Sequence, residues 1–549
     1  MILSITALVL PAGAGVARAQ QVPAHPTNVG FEEGVYSVPY GEPYSLDGRR
    51  LVFTSWLFVR QGGLSWVSRT TGENVTANRD MQIGDWGADY VRHSFPSGVR
   101  LEVEPAERRG PVIARDRPWE AMGAEITTLI GEAGRYRAWG TCQAAGGVAY
   151  HCYYESTDGE SWERPRLGQV EFQGSRDNNL IDFPHGTVFV DPSAPAAERY
   201  KWVQLGTIDR TRFEEFRSRR PDDWHPLADR DSHIYAVRGA VSPDGLHWTW
   251  LPEPLCVEHS DTQVTAYYDM RRREYVIFTR NYITGRKWPQ AAPEMGRYWW
   301  EILRRSIGRT ASPTFGHFPA SELVLAPSPD MRPSELLYTN GYTSIPGAPD
   351  HHVMFPSIWD VASDQTDIRV AVSFDGRLWQ MAGGGQPVLR TGVFGEFDGG
   401  CVFGRVNLAE LPNGDFVLPY TGYRYPHKYP RGAWAFDAGY AVWPKGRIFA
   451  LVADESGRFS TVGLVPPGNR LRINAVTTRA GRILVEVCDL GGNPVPGRTF
   501  ADAVPLVGDC HNTPVLWRSG EDLGVPDNHP VLLNVRLEQA RIYWLEFGS

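Results

Sequence analysis

Along nearly the whole chain, short runs alternate apolar and polar positions, and each run is cut off by Gly, Pro, Asp or Asn. Leu51 to Trp56, Arg135 to Thr141, Ala149 to Glu155, Tyr275 to Arg280 and Phe416 to Tyr420 are examples, rich in Val, Ile, Tyr, Phe and Trp. A period of two places alternate side chains on one face of a strand, and the residues between the runs are turn formers. Long stretches with a helical period are scarce. The pattern therefore predicts an all-β chain of many short strands, which narrows the architecture to sandwiches, barrels and propellers. The character changes near Val465-Pro466-Pro467-Gly468, after which Leu471 to Val476, Arg482 to Cys488, Val531 to Leu537 and Ala540 to Phe547 alternate like strands of a smaller sheet. A Pro-Pro-Gly hinge suits a domain boundary. Residues 466–549 are accordingly expected to form a C-terminal β-sandwich, with jelly-roll-like and immunoglobulin-like versions both fitting. Residues 20–110 read as an extra β-rich segment that covers the main domain or completes its last sheet.

A repeat chooses among these architectures. Ser-x-Asp-Gly-x-x-Trp occurs at Ser156 to Trp162, Ser242 to Trp248 and Ser373 to Trp379, each time after a strand-like run. The Asp-Gly pair can turn the chain with positive φ, the Ser and Asp oxygens can satisfy free backbone amides, and the Trp can seal the turn. These turns resemble the Asp-box hairpins of propellers in glycan-active proteins. We read their aspartates as turn formers on a propeller rim and not as catalysts.

Charge and cysteine content narrow the partners. The 549 residues carry 55 basic and 63 acidic side chains, interspersed, for a net charge of -8. That leaves no basic stripe for nucleic acid. The start, Met1 to Leu10 followed by Val16-Ala17-Arg18-Ala19, reads as a signal peptide over residues 1–19, too short to span a membrane, so a secreted or periplasmic protein is expected. Six cysteines are too few for a disulfide framework, and none has zinc-ligand spacing. Cys142 and Cys152 flank a hairpin turn at Ala145-Gly146-Gly147, where a disulfide compatible with export can form; two buried thiols are the alternative.

Several segments carry a family resemblance: Pro118-Trp119-Glu120, Tyr153 to Gly159 with Trp162, Gly174 to Asn179, His259 to Gln263 ahead of Tyr267-Tyr268-Asp269, Glu335 to Asn340, and Arg541 to Phe547. Over residues 110–549 the chain resembles secreted glycosyl-hydrolase-like proteins of the five-bladed β-propeller superfamily that includes glycoside hydrolase families 32 and 43. The resemblance implies a five-bladed propeller over 111–465 followed by the small sandwich. It also implies cleavage of glycosidic bonds in a poly- or oligosaccharide, a furanoside-containing one favoured, by paired carboxylic groups near the propeller axis.

The acids must be chosen one by one, because such sites draw on blades distant in sequence. Asp261 stands just before the strand at Val264 to Tyr268, where the superfamily places an inner-strand carboxylate, although the Arg-Asp-Pro often found there is missing. Glu396 and Asp398 lie in the glycine-lined acidic loop Gly395 to Gly400, and either suits a general acid if burial raises its pKa. Glu120 lies where the first blade begins. Sugar recognition needs aromatic faces beside amide and charged groups, and Trp119, Asn178, Asn179, His185, Arg280, Tyr338 and Asn340 are the candidates. His351-His352 is a poor metal pair, since neighbours on a strand point to opposite faces. No cofactor is required; a structural calcium ion on the axis is compatible with the acid-rich loops. The competing readings are a glycan-binding propeller without catalysis and, less favoured, a sialidase-like hydrolase or a phosphorylase. The oligomeric state is not encoded in any of these features.

Overall fold

The computed structural model describes residues 43–69, 88–93, 95–132, 134–221, 223–225, 228–230, 233–283, 304–429 and 435–548. Residues from Pro43 onward form one compact unit. The expected signal peptide at 1–19 lies outside the described residues. No helix among these residues is long and apolar enough to cross a membrane.

The chain is mostly β-strand, and its antiparallel pairings fall into successive sets, labelled blades I to V of a propeller, with I and V joined in one ten-stranded sheet. Blade I comprises Thr128–Glu132, Arg135–Gln143, Ala149–Ser156 and Leu180–Ile181. Blade II is built on Thr187–Val190, Tyr200–Ile208 and His233–Ser242, with Thr249–Trp250 outside them. Blade III runs through Thr265–Asp269, Glu274–Ile283, Arg304–Ser312 and Glu322–Leu325. Blade IV has broken strands. Its first is split into Glu335–Leu337 and Tyr342–Ile345, its second into Ala348–Met354 and Ser357–Asp360, and the halves pair antiparallel as two short sheets, with a register shift between Ser344 and Ile345. Blade V holds Cys401–Gly404, Phe416–Tyr423 and Phe436–Trp443.

The ring closes through the segment before blade I. Glu107–Arg109 pairs antiparallel with Phe436–Trp443 and completes blade V, while Gly123–Ala124 pairs with both Phe436–Asp437 and Cys142–Gln143, stitching blade V to blade I. The N-terminal segment also reaches the C-terminal sheet. This six-stranded sheet joins Phe449–Ser460, Arg470–Cys488, Asp509–Pro514 and Leu532–Gly548 to Arg100–Val103 and Arg50–Val52. Phe449–Ser460, which lies before residue 466, thus belongs to the C-terminal sheet. Arg50 clamps the junction: its buried guanidinium pairs with Glu410 at 2.7 Å and Glu546 at 2.7 Å and lies 4.6 Å over Trp544.

The three repeat turns connect third to fourth strands in blades I, II and IV. At each, the Ser hydroxyl donates to the Asp carboxylate at 2.8–3.0 Å, and that carboxylate accepts two backbone N–H groups at 2.7–2.9 Å. Burial opposes ionisation of Asp244, but the His247 N–H and its other donors outweigh it and hold the carboxyl down at about 2. Each glycine has positive φ, 76°, 78° and 68°. Each also lets an aromatic residue of the preceding blade approach. Tyr440 of blade V donates to the Gly159 carbonyl at 2.9 Å, Trp139 of blade I donates to that of Gly245 at 2.7 Å, and a Cβ at Gly376 would meet the Tyr267 hydroxyl at 2.8 Å. The repeat therefore locks neighbouring blades together. Trp139 and Tyr153 of blade I pack with Tyr200, Trp202 and Ala240 of blade II in the core between them. Cys142 and Cys152 form a disulfide across adjacent strands of blade I.

Candidate functional site

Residues on or beside the inner strands of blades I to V line one pit of about 410 Å³. Blade I supplies Glu125 and Thr127 just ahead of its first strand, and blade II supplies His185 and Gly186 in the same position. Blade III contributes Asp261, Thr262 and Gln263. Tyr338 and Thr339 come from the break in the first strand of blade IV, and Phe403, Arg405, Tyr423 and His427 from blade V. Tyr338 and Thr339 lie outside the ladder, between Glu335–Leu337 and Tyr342–Ile345.

Two carboxylates line this pit, and each faces a guanidinium. Glu125, whose side chain is 9% exposed, pairs with Arg405 and accepts from the Thr421 hydroxyl at 2.5 Å, while Thr421 accepts from Arg405 Nε at 2.6 Å. Asp261 is far more open, 42% exposed, and contacts Arg280, whose side chain is only 1% exposed. His259 Nε2 lies 3.9 Å from the second Asp261 oxygen. Burial, reinforced by the nearby Arg305, pushes the Arg280 guanidinium down to about 10. His185 opens into the pit, yet loss of solvent against its walls pushes its imidazole below the usual histidine range, opposed by Glu125 and assisted by Arg405. Burial, with Glu125 adding to it, raises the Tyr423 phenol.

Amides fix the frame. Gln263 accepts from the Gly341 N–H at 2.7 Å and donates to the Gly404 carbonyl at 3.1 Å, bridging blades III, IV and V. Asn340, buried behind it, accepts from the Thr265 hydroxyl at 2.7 Å and donates to the Gln263 carbonyl at 3.2 Å. Tyr338 packs against Phe403 and His427, with ring centroids 5.2 and 4.8 Å away.

Of the residues predicted from sequence, the structure brings Asp261, His185 and Tyr338 to the pit, with Arg280 and Asn340 directly behind its wall. The others lie elsewhere. Glu120 is fully buried and accepts from Arg164 Nε at 2.8 Å, Arg164 Nη2 at 2.9 Å and the Tyr154 hydroxyl at 3.0 Å. Asp398, also fully buried, accepts from Arg108 at 2.8 Å and Tyr420 at 2.7 Å, and the half-exposed Glu396 shares Arg108 at 2.9 Å. Arg108 sits on the outermost strand of blade V, which places both acids on the outer side of that blade. Trp119 donates to Asn179 at 2.9 Å, Asn179 to the Tyr153 carbonyl at 2.8 Å, and Asn178 to the Val170 carbonyl at 2.9 Å, so these three bind blade I to its own loop.

Sequence reasoning missed Glu125 and Arg405. The signal for Glu125 was its place: Glu120 is five residues earlier, and Glu125 stands just ahead of the inner strand Thr128–Glu132. Arg405 gave no such signal, since its role depends on Glu125, 280 residues away. His351 and His352 indeed face apart, toward Asp350 at 3.0 Å and the Tyr342 hydroxyl at 3.0 Å respectively. Among the described residues, no three His, Cys, Asp or Glu side chains gather as a metal site.

No family model and no curated protein matches the chain. Solved structures similar to it include the following glycan-active proteins. One is an N-acetylgalactosamine deacetylase from F. plautii, in complex with blood group B trisaccharide, at 13% identity over 63% of this chain and 96% of that one, with a TM-score of 0.38. Another is an α-L-arabinofuranosidase from Podospora anserina, in complex with cellotriose, at 10% identity, 63% and 98% coverage and a TM-score of 0.37. A third is a thermostable family-43 glycoside hydrolase, at 15% identity, 60% and 92% coverage and a TM-score of 0.36. At these scores the fold rests on the chain's own strand pairing, and the site on its own side chains.

Proposed function

We propose that this protein is an exported glycoside hydrolase whose glycan enters the five-blade pit, with Glu125 and Asp261 as its carboxylic pair. The observation that carries this reading is their convergence, from blades I and III, on one pit walled by Tyr338, Phe403 and Tyr423. Glycosidic cleavage needs one carboxylic group to protonate the leaving oxygen and another to attack the anomeric carbon or activate water. Arg405 and Thr421 hold Glu125 in a fixed orientation, which suits the base or nucleophile, and the more open Asp261 meets the ligand from blade III. Aromatic rings beside amide and carboxylate groups suit the apolar faces and hydroxyl rims of sugars. Export is supported by the apolar N-terminal run and by the Cys142–Cys152 disulfide.

A specific observation favours a second reading, a glycan binder without catalysis: both pit carboxylates face arginines, and no third carboxylate lines the pit among the described residues. Reducing-end release from arabinan, fructan, galactan and xylan separates the two. The hydrolase releases sugar from at least one of them, and Asp261→Asn and Glu125→Gln abolish the release. Binding with no release on any substrate supports the binder.

A further inference from the structure

A second cavity, of about 450 Å³, shares no lining residue with the pit. It opens where three parts of the chain meet: the N-terminal segment, strand Arg100–Val103 of the C-terminal sheet, and the outer strands of blade IV. Phe53, Val372 and Phe449 give it an apolar, buried floor. Trp56 also lines it and is 45% exposed. The turn that carries Trp56 is fixed at both ends. Ser55 Oγ accepts from the Leu57 N–H at 3.3 Å, and Phe58 is buried against Tyr44 and His351, with ring centroids 5.1 and 5.0 Å away. The tight winding of this turn points Trp56 and Phe58 in different directions, so anchoring the one presents the other. On the blade IV side, Gln380 is exposed on the outermost strand, Gln380–Met381. Glu102 is the one charged side chain that lines the cavity, and Arg100, at 2.8 Å, and Arg541 neutralise it.

This lining selects the chemistry of its ligand. An ionic partner finds the one charge already paired, and a wholly apolar partner would bury the Gln380 amide and the Thr54 and Ser55 hydroxyls at a cost. A neutral sugar meets both demands, because its C–H faces suit the indole and the apolar floor while its hydroxyls suit the amide and hydroxyl groups. Resting on the reading of the protein as glycan-active, we propose that this cavity is a second carbohydrate site, which holds a neutral polysaccharide on Trp56 at a distance from the pit. Two sites engaging one chain make the second contact intramolecular, so the cavity raises the concentration of glycan at the pit.

Affinity electrophoresis of the whole protein through gels containing arabinan, fructan, galactan or xylan tests this, beside reducing-end release from short oligosaccharides of the same four glycans. At least one polysaccharide is expected to retard the protein. Trp56→Ala should weaken the dissociation constant read from that gel about tenfold. Gln380→Ala should weaken it in the same direction, Trp56→Phe should keep most of the retardation, and all three should release sugar from the short oligosaccharide at the unmodified rate. Trp56 and Gln380 are both exposed, and an unchanged urea midpoint shows that each variant is folded. Equal retardation of Trp56→Ala, Gln380→Ala and the unmodified protein overturns the proposal while leaving the pit reading standing. Lost release from the short oligosaccharide in folded Trp56→Ala overturns the separateness of the two sites, and with it the proposal. Retardation that depends on Trp56, with no release from any substrate, supports the second site and overturns the hydrolase reading instead. Release from short oligosaccharides with no retardation in any gel overturns the second site alone, and neither retardation nor release overturns both.

Discussion

Glu120→Gln separates a structural acid from a catalytic one. The carboxylate is fully buried and accepts two hydrogen bonds from Arg164, at 2.8 and 2.9 Å, and one from Tyr154 at 3.0 Å. Glutamine keeps one acceptor oxygen, but its amide group points hydrogen at a donor, and the Arg164 charge loses its buried partner. Removing one member of a buried pair costs about 3–5 kcal/mol. Arg164 is 11% exposed and retains Asp116 at 3.3 Å, so the low end, about 3 kcal/mol, is expected. Urea titration followed by tryptophan fluorescence reads this as a lower midpoint at an unchanged slope. Replacing Arg164 by Met in the same chain removes the orphaned charge, so the double variant should be at least as stable as Glu120→Gln. Glycan release or binding by the folded variant should equal that of the unmodified protein. Unchanged stability, within about 0.5 kcal/mol, together with lost activity would refute this reasoning and make Glu120 catalytic.

Asp398→Asn should cost about 2 kcal/mol in the same titration, since two buried hydrogen bonds to Arg108 and Tyr420 weaken, whereas Glu396→Gln, with its side chain 47% exposed, should change stability by less than about 0.5 kcal/mol. Neither should alter activity. Reduction of Cys142–Cys152, which closes a loop with a sequence separation of 10, should cost about 3 kcal/mol by loop entropy, measured as the difference in unfolding free energy with and without reductant. Burial pushes His151 down to about 3 and His352 down to about 4. The unfolded chain protonates these histidines near pH 6.5, so it binds more protons below that pH and stability falls as pH drops from about 6.5 toward 4. His151 alone accounts for about 3 kcal/mol of loss at pH 4, and His151→Phe should flatten the slope of unfolding free energy against pH; an unchanged slope contradicts the assignment.

The strand content was legible because the period of two and the turn residues are local. So were the repeat turns, whose Ser, Asp and Gly satisfy one another within four residues. What the repeat could not reveal was its partner: the aromatic residue that locks each glycine belongs to the preceding blade, as Trp139 does for Gly245. The pit was legible in part for the same reason. Asp261 and His185 announce themselves by standing immediately before an inner strand, and Tyr338 follows one. Glu120, Glu396 and Asp398 looked catalytic as acids beside glycines or strand starts, but their meaning was set by Arg164 and Arg108, each brought in by tertiary packing. Glu107–Arg109 completes the last blade from the far end of the ring, a pairing that only closure of the whole propeller creates.

The central claim is that Glu125 and Asp261 are the working acids and that the other acids predicted from sequence are structural. Reducing-end release on the glycan panel, run with Glu125→Gln, Asp261→Asn, Glu120→Gln and Glu396→Gln at equal folded concentration, tests it most directly. The account predicts that the first two variants lose release while the last two keep it; retained release in Asp261→Asn and Glu125→Gln, with loss in Glu120→Gln or Glu396→Gln, would contradict it.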